Sequence, residues 1–250
     1  MTIDPRARFT GLAAVYQRTR PSYPDALLDW LMALFAPGAP SSAADIGCGT
    51  GISTRLLAAR GLEVVGVDPN EDMLGEARAA GGARYVRGDA EATGLPGASA
   101  DLVTAAQAFH WFDADRAYAE FARILRPSGW CAAFWNERAP SPLADAYEVL
   151  LRKYSEEYVR LERTQPSTTE FAGPPAAEER RRATFPNSQR LDREGYLGRV
   201  ASSSYVQHGT SRRDELLREC AALFDRHESG GLVEIPYECR VTAWRPRASG

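Results

Sequence analysis

Two aspartates and three glycines in the first third of the chain have the types and spacing that could bind a small polar ligand. Asp45 precedes Gly47, Gly49 and Gly51, and Asp68 follows after one more helix and strand. Glycine lets a backbone turn sharply and approach a ligand closely. The N–H groups of the helical turn that starts near Gly51 favour an anionic group, and the Asp68 carboxylate can accept two hydrogen bonds from a ribose diol.

The residues around this set predict the elements that position it. Residues 43–46 form a short buried run that predicts a strand, and residues 52–60 have the apolar spacing of a helix. Residues 62–67 form a near-continuous apolar run, which is typical of a strand in a parallel sheet. A strand, crossover helix and parallel strand place the glycine loop and Asp68 side by side at the carboxyl edge of the sheet, where open α/β sheets bind ligands.

The pattern around the loop discriminates between cofactors. A dinucleotide fingerprint requires a third glycine where this chain has Ile52, so NAD-dependent oxidoreduction is disfavoured. Asp45 is a charged group at the end of a buried strand and needs a partner there. A cationic group of the ligand could provide that partner.

The motif Asp-x-Gly-Cys-Gly-Thr-Gly at residues 45–51, followed by Gly-Val-Asp at residues 66–68, resembles the class I S-adenosylmethionine (SAM) methyltransferases. Later segments resemble their type 11, small-molecule branch, and the match covers about residues 9–136. The resemblance implies an α/β fold with a Rossmann-like, seven-stranded, mostly parallel sheet, an antiparallel last strand, and helices on both faces. It also implies a helical cap inserted after the fifth strand, SAM as the cofactor, and S-adenosylhomocysteine as the product.

The chain divides into three expected parts. Residues 1–138 form the SAM-binding core with an N-terminal lid helix, residues 139–182 a helical substrate cap, and residues 183–250 complete the sheet and its helices. Within the cap the apolar spacing predicts one long helix over residues 143–161. A strand is expected over residues 183–190. Residues 232–244 predict the last strand, whose final part alternates like an antiparallel edge strand.

The resemblance assigns most of the cofactor contacts. Tyr16 and Arg20 would lie near the methionine end if their segment forms a lid, although the same spacing fits an amphipathic helix packed on the sheet. Met73 would lie against adenine and also fill the core, and Asp89 would accept from the adenine amino group or cap its own turn. The predicted cofactor site comprises Tyr16, Arg20, Asp45, Gly47, Gly49, Gly51, Asp68, Pro69, Met73, Asp89, Ala90 and Gln107.

Polar and aromatic residues just past the fourth and fifth strands would face the substrate. The predicted substrate site comprises His110, Trp111, Trp135, Asn136, Tyr154 and Tyr158. His110 could take a proton from the methyl acceptor, because imidazole titrates near neutral pH, or it could be a hydrogen-bonded part of the wall. The arginines of residues 180–182 could hold an acidic substrate or form a solvated surface run neutralised by glutamates.

Composition limits the classes of partner. The 250 residues are 44% hydrophobic and carry a formal net charge of −3, so no basic footprint for nucleic acid or an anionic membrane is present. The N-terminal residues lack the apolar core of a signal peptide, and we expect a cytoplasmic monomer or homodimer that acts on a small molecule. The four cysteines show no paired spacing, so neither a metal site nor a disulfide framework is expected.

These observations lead to one main functional hypothesis and one alternative. The main hypothesis is methyl transfer from SAM to an O, N or C atom of a small molecule by in-line displacement. This reaction requires that the acceptor atom be held near the methyl carbon with water excluded, and it needs no covalent enzyme intermediate. The alternative is a SAM-binding enzyme that does not methylate and instead steers a decarboxylation or cyclisation on the same fold.

Overall fold

The computed structural model describes residues 19–164, 171–207 and 209–247, and these residues form one seven-stranded sheet surrounded by helices. The strands are β1 Ser42–Ile46, β2 Glu63–Asp68, β3 Arg84–Arg87, β4 Ala100–Ala106, β5 Leu125–Arg138, β6 Ala177–Leu191 and β7 Val233–Pro246. The helices are α1 Asp25–Ala33, α2 Ile52–Ala58, α3 Glu71–Ala80, α4 Ala114–Ile124, α5 Pro142–Tyr154, α6 Glu156–Thr164, α7 Arg193–Ala201, α8 Ser204–Gln207 and α9 Arg213–His227. The predicted lid helix with Tyr16 lies outside the described residues.

The strand order is β3-β2-β1-β4-β5-β7-β6, in which β1 to β5 are parallel and β7 is antiparallel to both of its neighbours. The predicted fold class is therefore confirmed. Because side chains alternate along a strand, Leu102 packs into the layer with α1 and α2, and its neighbour Val103 packs into the layer with α4. Both faces of the parallel strands are covered, which explains their continuous apolar runs.

Local sequence signals set several helix starts near the carboxyl edge. Gly51 has φ +78 at the N-cap of α2, and Asn70 caps α3 by accepting hydrogen bonds from the N–H groups of Asp72 and Met73. Asp113 caps α4 in the same way, by accepting from the N–H of Arg116. Asn70 and Asp113 thus satisfy N–H groups that have no partner within the helix, whereas Gly51 supplies a left-handed backbone turn and no side-chain cap. These caps direct the chain into a helix as it leaves the sheet.

Three predicted elements differ from the structure. The long helix over residues 143–161 is interrupted at Ser155, which has an extended backbone and whose hydroxyl accepts from the Tyr158 N–H and donates to the Tyr205 carbonyl. The sixth strand begins at Ala177 rather than residue 183, so it includes part of the charged run, whose arginines are exposed. The last strand is interior, and β6 is the edge.

The edge strand explains the charged residues of β6. Arg180, Arg181 and Arg182 are exposed, and Arg181 pairs with Glu179 at 2.7 Å. Charged side chains on an edge strand discourage pairing with another chain. Among the helices of the described ranges, none is long and apolar enough to cross a bilayer.

Candidate functional site

The glycine loop between β1 and α2 is tied to the end of β2 and opens on one side. The N–H groups of Gly47 and Cys48 donate to the Val67 carbonyl at 2.8 and 3.1 Å. A Cβ at Gly47 would lie 2.6 Å from the Ala108 Cβ, so only glycine fits there, whereas a Cβ at Gly49 would meet nothing within 4 Å. The loop is therefore packed at its base and open at Gly49.

Asp68 lies against this open part of the loop. Its Oδ2 accepts from the Gly49 N–H and its Oδ1 accepts from the Asn70 N–H, both at 2.9 Å. Burial raises the pKa of this carboxyl to about 6, although the two backbone hydrogen bonds act in the opposite direction. Each carboxylate oxygen can accept more than one hydrogen bond. The side chain therefore keeps acceptor capacity for two hydroxyl donors of a ligand.

Asp45 has a different role from the one that its position in the sequence suggested. Its side chain is fully buried and accepts hydrogen bonds from the hydroxyls of Ser53, Thr54 and Thr104 at 2.6, 2.6 and 2.8 Å. The partners of Asp45 are thus three hydroxyls rather than a cationic group of a ligand. Burial raises the pKa of Asp45, and the hydroxyls oppose this rise. Through these hydrogen bonds Asp45 links the start of α2 to β4 and helps to fix the glycine loop between them.

A cavity of about 380 Å³ lies at the carboxyl edge above the glycine loop, within the range of small-molecule sites. Its wall brings together nine predicted residues, namely Gly47, Gly49, Asp68, Pro69, Met73, Asp89, Ala90, Gln107 and Trp111. The wall also contains residues that were not predicted, among them Tyr23, Thr50, Asn70, Glu91 and Phe112. Asn70 could have been predicted at the site, because an Asn that follows Asp68 and precedes a helix is a typical N-cap. No sequence pattern predicts that Tyr23 lines the cavity.

The segment after β4 forms part of the cavity wall. Gln107 has φ +57, which is uncommon for a residue with a side chain, and its Nε2 donates to the Asn136 carbonyl at 3.2 Å. A 3-10 turn over Phe109–Trp111 follows. Backbone conformations of this kind occur preferentially at functional sites, and here the conformation brings Gln107 and Trp111 into the same wall.

His110 is held by its neighbours in a way that limits its use as a base. Its Nδ1 accepts a hydrogen bond from Trp135 Nε1 at 3.3 Å, and its ring lies 4.6 Å from that of Trp111. When Nδ1 accepts, the neutral imidazole carries its proton on Nε2, where it can donate but not accept. This geometry favours a hydrogen-bonded structural role over that of a base, because proton abstraction would require His110 to give up the Trp135 hydrogen bond, and His110 does not line the cavity.

The other predicted residues that the structure describes, Trp135 among them, do not line the cavity. Arg20 donates to the Ser202 carbonyl at 3.4 Å, and Asn136 donates to the Ser22 carbonyl at 3.0 Å. Tyr154 donates to Glu219 at 2.5 Å, which ties α5 to α9. Tyr158 donates to Glu148 at 2.7 Å. Gly51 shapes the loop without lining the cavity.

Comparisons with known proteins agree with this geometry. Residues 44–133 match the family model of a methyltransferase domain. An uncharacterised methyltransferase of Mycobacterium tuberculosis is 43% identical over 136 residues, which are 54% of this chain and 54% of that protein. The matched region thus spans about half the length of the curated relatives.

Solved structures are similar over more of the chain. A putative type II methyltransferase from Anaeromyxobacter dehalogenans is 31% identical with a TM-score of 0.70, and the similarity covers 91% of this chain and 99% of that one. A putative methyltransferase from an antibiotic biosynthesis pathway of Anabaena variabilis is 22% identical with a TM-score of 0.58 over 90% and 98% of the two chains, which is a likeness of fold. With the loop, the spaced aspartate and the strand order, these similarities show that the chain belongs to the class I SAM-dependent methyltransferases.

Proposed function

We propose that this protein transfers a methyl group from SAM to an O, N or C atom of a small molecule by in-line displacement. The observation that carries the proposal is the cavity at the carboxyl edge, bounded by the open glycine loop and by a buried carboxylate with unused acceptor capacity. When bound, SAM supplies a methyl group on a positively charged sulfur, which needs no covalent intermediate on the enzyme.

The residues of the wall fit the parts of this cofactor. Asp68 would accept from the two ribose hydroxyls, and Asp89 from the adenine amino group, while Met73 would lie against the adenine face. Gln107 and Trp111, which line the cavity from the segment after β4, would surround the methionine end and the sulfonium, where an aromatic face contributes about 0.5 to 2 kcal/mol. The donors and acceptors are thus matched to a nucleoside at one end and a cation at the other.

The remaining contribution of the protein is positioning. The acceptor atom must lie about 3 Å from the methyl carbon with water excluded. We propose that the helices after β5 cover the substrate, as the predicted cap of residues 139–182 would, and that His110 and Trp111 contact it. In this arrangement His110 Nε2–H donates a hydrogen bond to the substrate and does not remove its proton.

Direct binding and product release test the proposal. The purified full chain is titrated calorimetrically with S-adenosylhomocysteine and, in parallel, with NAD; the proposal expects saturable binding of the first only. The chain is then incubated with SAM and a panel of small hydroxyl, amine and carbon acids, and release of S-adenosylhomocysteine is followed. Substrate consumption without that release would support the non-methylating alternative, and absence of S-adenosylhomocysteine binding would contradict the cofactor assignment.

A further inference from the structure

A second polar region lies beyond the cofactor cavity, between the sheet and the helices that follow β5. It contains Arg138 at the end of β5, Tyr147 on α5, Arg199 on α7, Tyr205 on α8 and Tyr237 on β7, which we call the arginine–tyrosine cluster. Arg138 and Tyr237 are paired in the register of β5 and β7, and the Arg138 guanidinium lies 5.3 Å from the centre of the Tyr147 ring. Arg199 and Tyr205 lie close enough to interact electrostatically with each other and with Arg138, so the cluster joins five elements that are distant in sequence.

Among the described residues, the two arginines of the cluster have one carboxylate partner between them, Glu148, and Tyr205, whose pKa is lowered to about 7, is the other group beside them that can carry negative charge. Arg138 pairs with Glu148 at 3.2 Å, but that carboxylate also pairs with Arg152 at 3.3 Å. In the part of the chain that the structure describes, Arg199 forms no salt bridge, and its Nη1 donates only to the Ser203 hydroxyl at 3.1 Å. A charged group removed from water normally has a counter-charge, because its desolvation is otherwise uncompensated.

Three hydrogen-bond donors of the cluster also lack acceptors. Arg199 Nε, Tyr147 Oη and Tyr237 Oη are buried and have no hydrogen-bond partner among the described residues. Tyr147 and Tyr237 are only 7% and 3% exposed, so solvent does not replace the partners that they lack. Buried polar groups are nearly always hydrogen-bonded, and each exception requires an explanation. These three buried donors, beside two arginines that have one carboxylate between them, are groups that an anionic ligand could pair with.

The titration behaviour of the tyrosines agrees with an electropositive region. Burial acts to raise the pKa of Tyr205, but the guanidiniums of Arg138, Arg199 and Arg20 outweigh it and lower this pKa to about 7. Burial, supported by Tyr205, raises the pKa of Tyr147 well above its usual range, so that hydroxyl remains a proton donor. Arg138, Arg199 and Tyr205 are partly exposed, whereas Tyr147 and Tyr237 are buried.

The cluster lies close to the cofactor cavity along β5. Gln107, in the cavity wall, donates to the Asn136 carbonyl, and Arg138 is two residues further along the same strand. Two strand residues span about 7 Å, and alternate residues share a face of the sheet. A ligand that is held by Arg138 could therefore extend toward the methyl donor with its other end.

We propose that the arginine–tyrosine cluster binds a carboxylate group of the methyl acceptor and so selects acidic small molecules. The two oxygens of a carboxylate accept about four hydrogen bonds, which matches three unpaired donors together with Arg138. The carboxylate is the anchor, and the methyl-accepting atom lies nearer the cavity. This inference rests on the proposed methyl transfer, but anion binding can be measured without it.

The test is calorimetric titration of the full chain, with and without saturating S-adenosylhomocysteine. The probes are phenylacetate, its neutral isostere phenylacetamide, and inorganic phosphate. Phenylacetate is expected to bind at least about tenfold more tightly than phenylacetamide, because the amide has no charge to pair with the guanidiniums. Tighter binding of phosphate than of phenylacetate would overturn the carboxylate assignment, and equal binding of the acid and the amide would overturn the anion site itself.

Two variants and a control locate the binding. Tyr237→Phe keeps the shape of the side chain and is expected to weaken phenylacetate binding roughly 10- to 100-fold, with little change in Tm, because the removed hydroxyl has no hydrogen-bond partner in the described part of the chain. Arg199→Met is expected to weaken it at least as much. The control is Arg193→Met, which removes an exposed arginine of the same helix and should leave binding unchanged.

The outcomes separate this inference from the proposed function. If S-adenosylhomocysteine binds and Tyr237→Phe binds phenylacetate as the wild type does, the carboxylate subsite is wrong and the methyltransferase assignment stands. If phenylacetate binds through Tyr237 and Arg199 while S-adenosylhomocysteine does not bind, the cofactor assignment fails and the anion subsite stands.

Discussion

Replacing Asp68 by asparagine is the sharpest test of the cofactor site, because this residue belongs to both the loop and the cavity wall. The carboxylate accepts from the Gly49 and Asn70 N–H groups at 2.9 Å and faces the cavity. Asparagine has nearly the same shape but presents an NH₂ group where one of these acceptors stood. The change therefore removes the charge and one acceptor without opening a void.

The expected loss of affinity follows from the hydrogen bonds that the carboxylate would make. A hydrogen bond to a charged group contributes about 1.5 to 3 kcal/mol, and one between neutral groups about 0.5 to 1.5 kcal/mol. Weakening one ribose contact and losing the other then costs roughly 2.5 to 4.5 kcal/mol, or a factor of roughly 60 to 2,000 in Kd. Asp72→Asn is the matched control, since it removes the same charge from an exposed position in the first turn of α3.

The pH dependence gives a second readout with a definite sign. The pKa of Asp68 is raised from its usual value of 3.8 to about 6, so keeping it ionised in the folded chain costs roughly 3 kcal/mol. A raised pKa contributes stability that is complete below pH 3.8 and is lost as the pH rises through about 6. Relative to Asp68→Asn, the free energy of unfolding of the wild type should therefore fall across this interval.

Ligand binding should depend on pH in the opposite direction. The affinity of the wild type for S-adenosylhomocysteine should decrease about tenfold per pH unit below pH 6, whereas the affinity of Asp68→Asn should show no inflection there. Calorimetric titrations from pH 5 to pH 8 measure both proteins. A Kd for Asp68→Asn within about threefold of the wild type at pH 8 would refute the proposed ribose contact.

Three further predictions concern the framework of the site. Gly51→Ala should destabilise the fold by about 1 to 3 kcal/mol, because Gly51 has φ +78 and a Cβ would lie 2.5 Å from the Tyr85 hydroxyl. Urea unfolding measures the change in the free energy of unfolding, and an unchanged midpoint would contradict the prediction. Thr104→Val should cost about 1 to 3 kcal/mol by removing a hydroxyl donor from the buried Asp45 carboxylate, and an unchanged free energy of unfolding in the same assay would contradict this. Asp101→Asn should remove part of the acid sensitivity of unfolding, because hydrogen bonds from Ser41, Ser42 and Arg126 outweigh burial and lower the pKa of the Asp101 carboxyl. The stability that the ionised carboxylate contributes is present above its usual pKa of 3.8 and is lost as the pH falls. Identical pH profiles of unfolding for the wild type and the variant would contradict this prediction.

The sequence alone determined the elements whose signals are local. The glycine spacing, the apolar run after it and the acid at the end of the next strand fixed the loop, the parallel sheet and the position of Asp68 beside Gly49. These signals suffice because a strand, a helix and a parallel strand can connect in essentially one hand, which places both residues at the same edge. The cavity wall then contains most of the residues that the resemblance named.

Only the tertiary structure decided which distant groups meet. The partner of Asp45 is partly Thr104, 59 residues away, and the arginine–tyrosine cluster joins residues from Arg138 to Tyr237. It also decided that β6, rather than β7, is the edge. Strand order, register and the packing of helices over the sheet depend on contacts summed over the whole chain, and no short stretch of sequence carries that information.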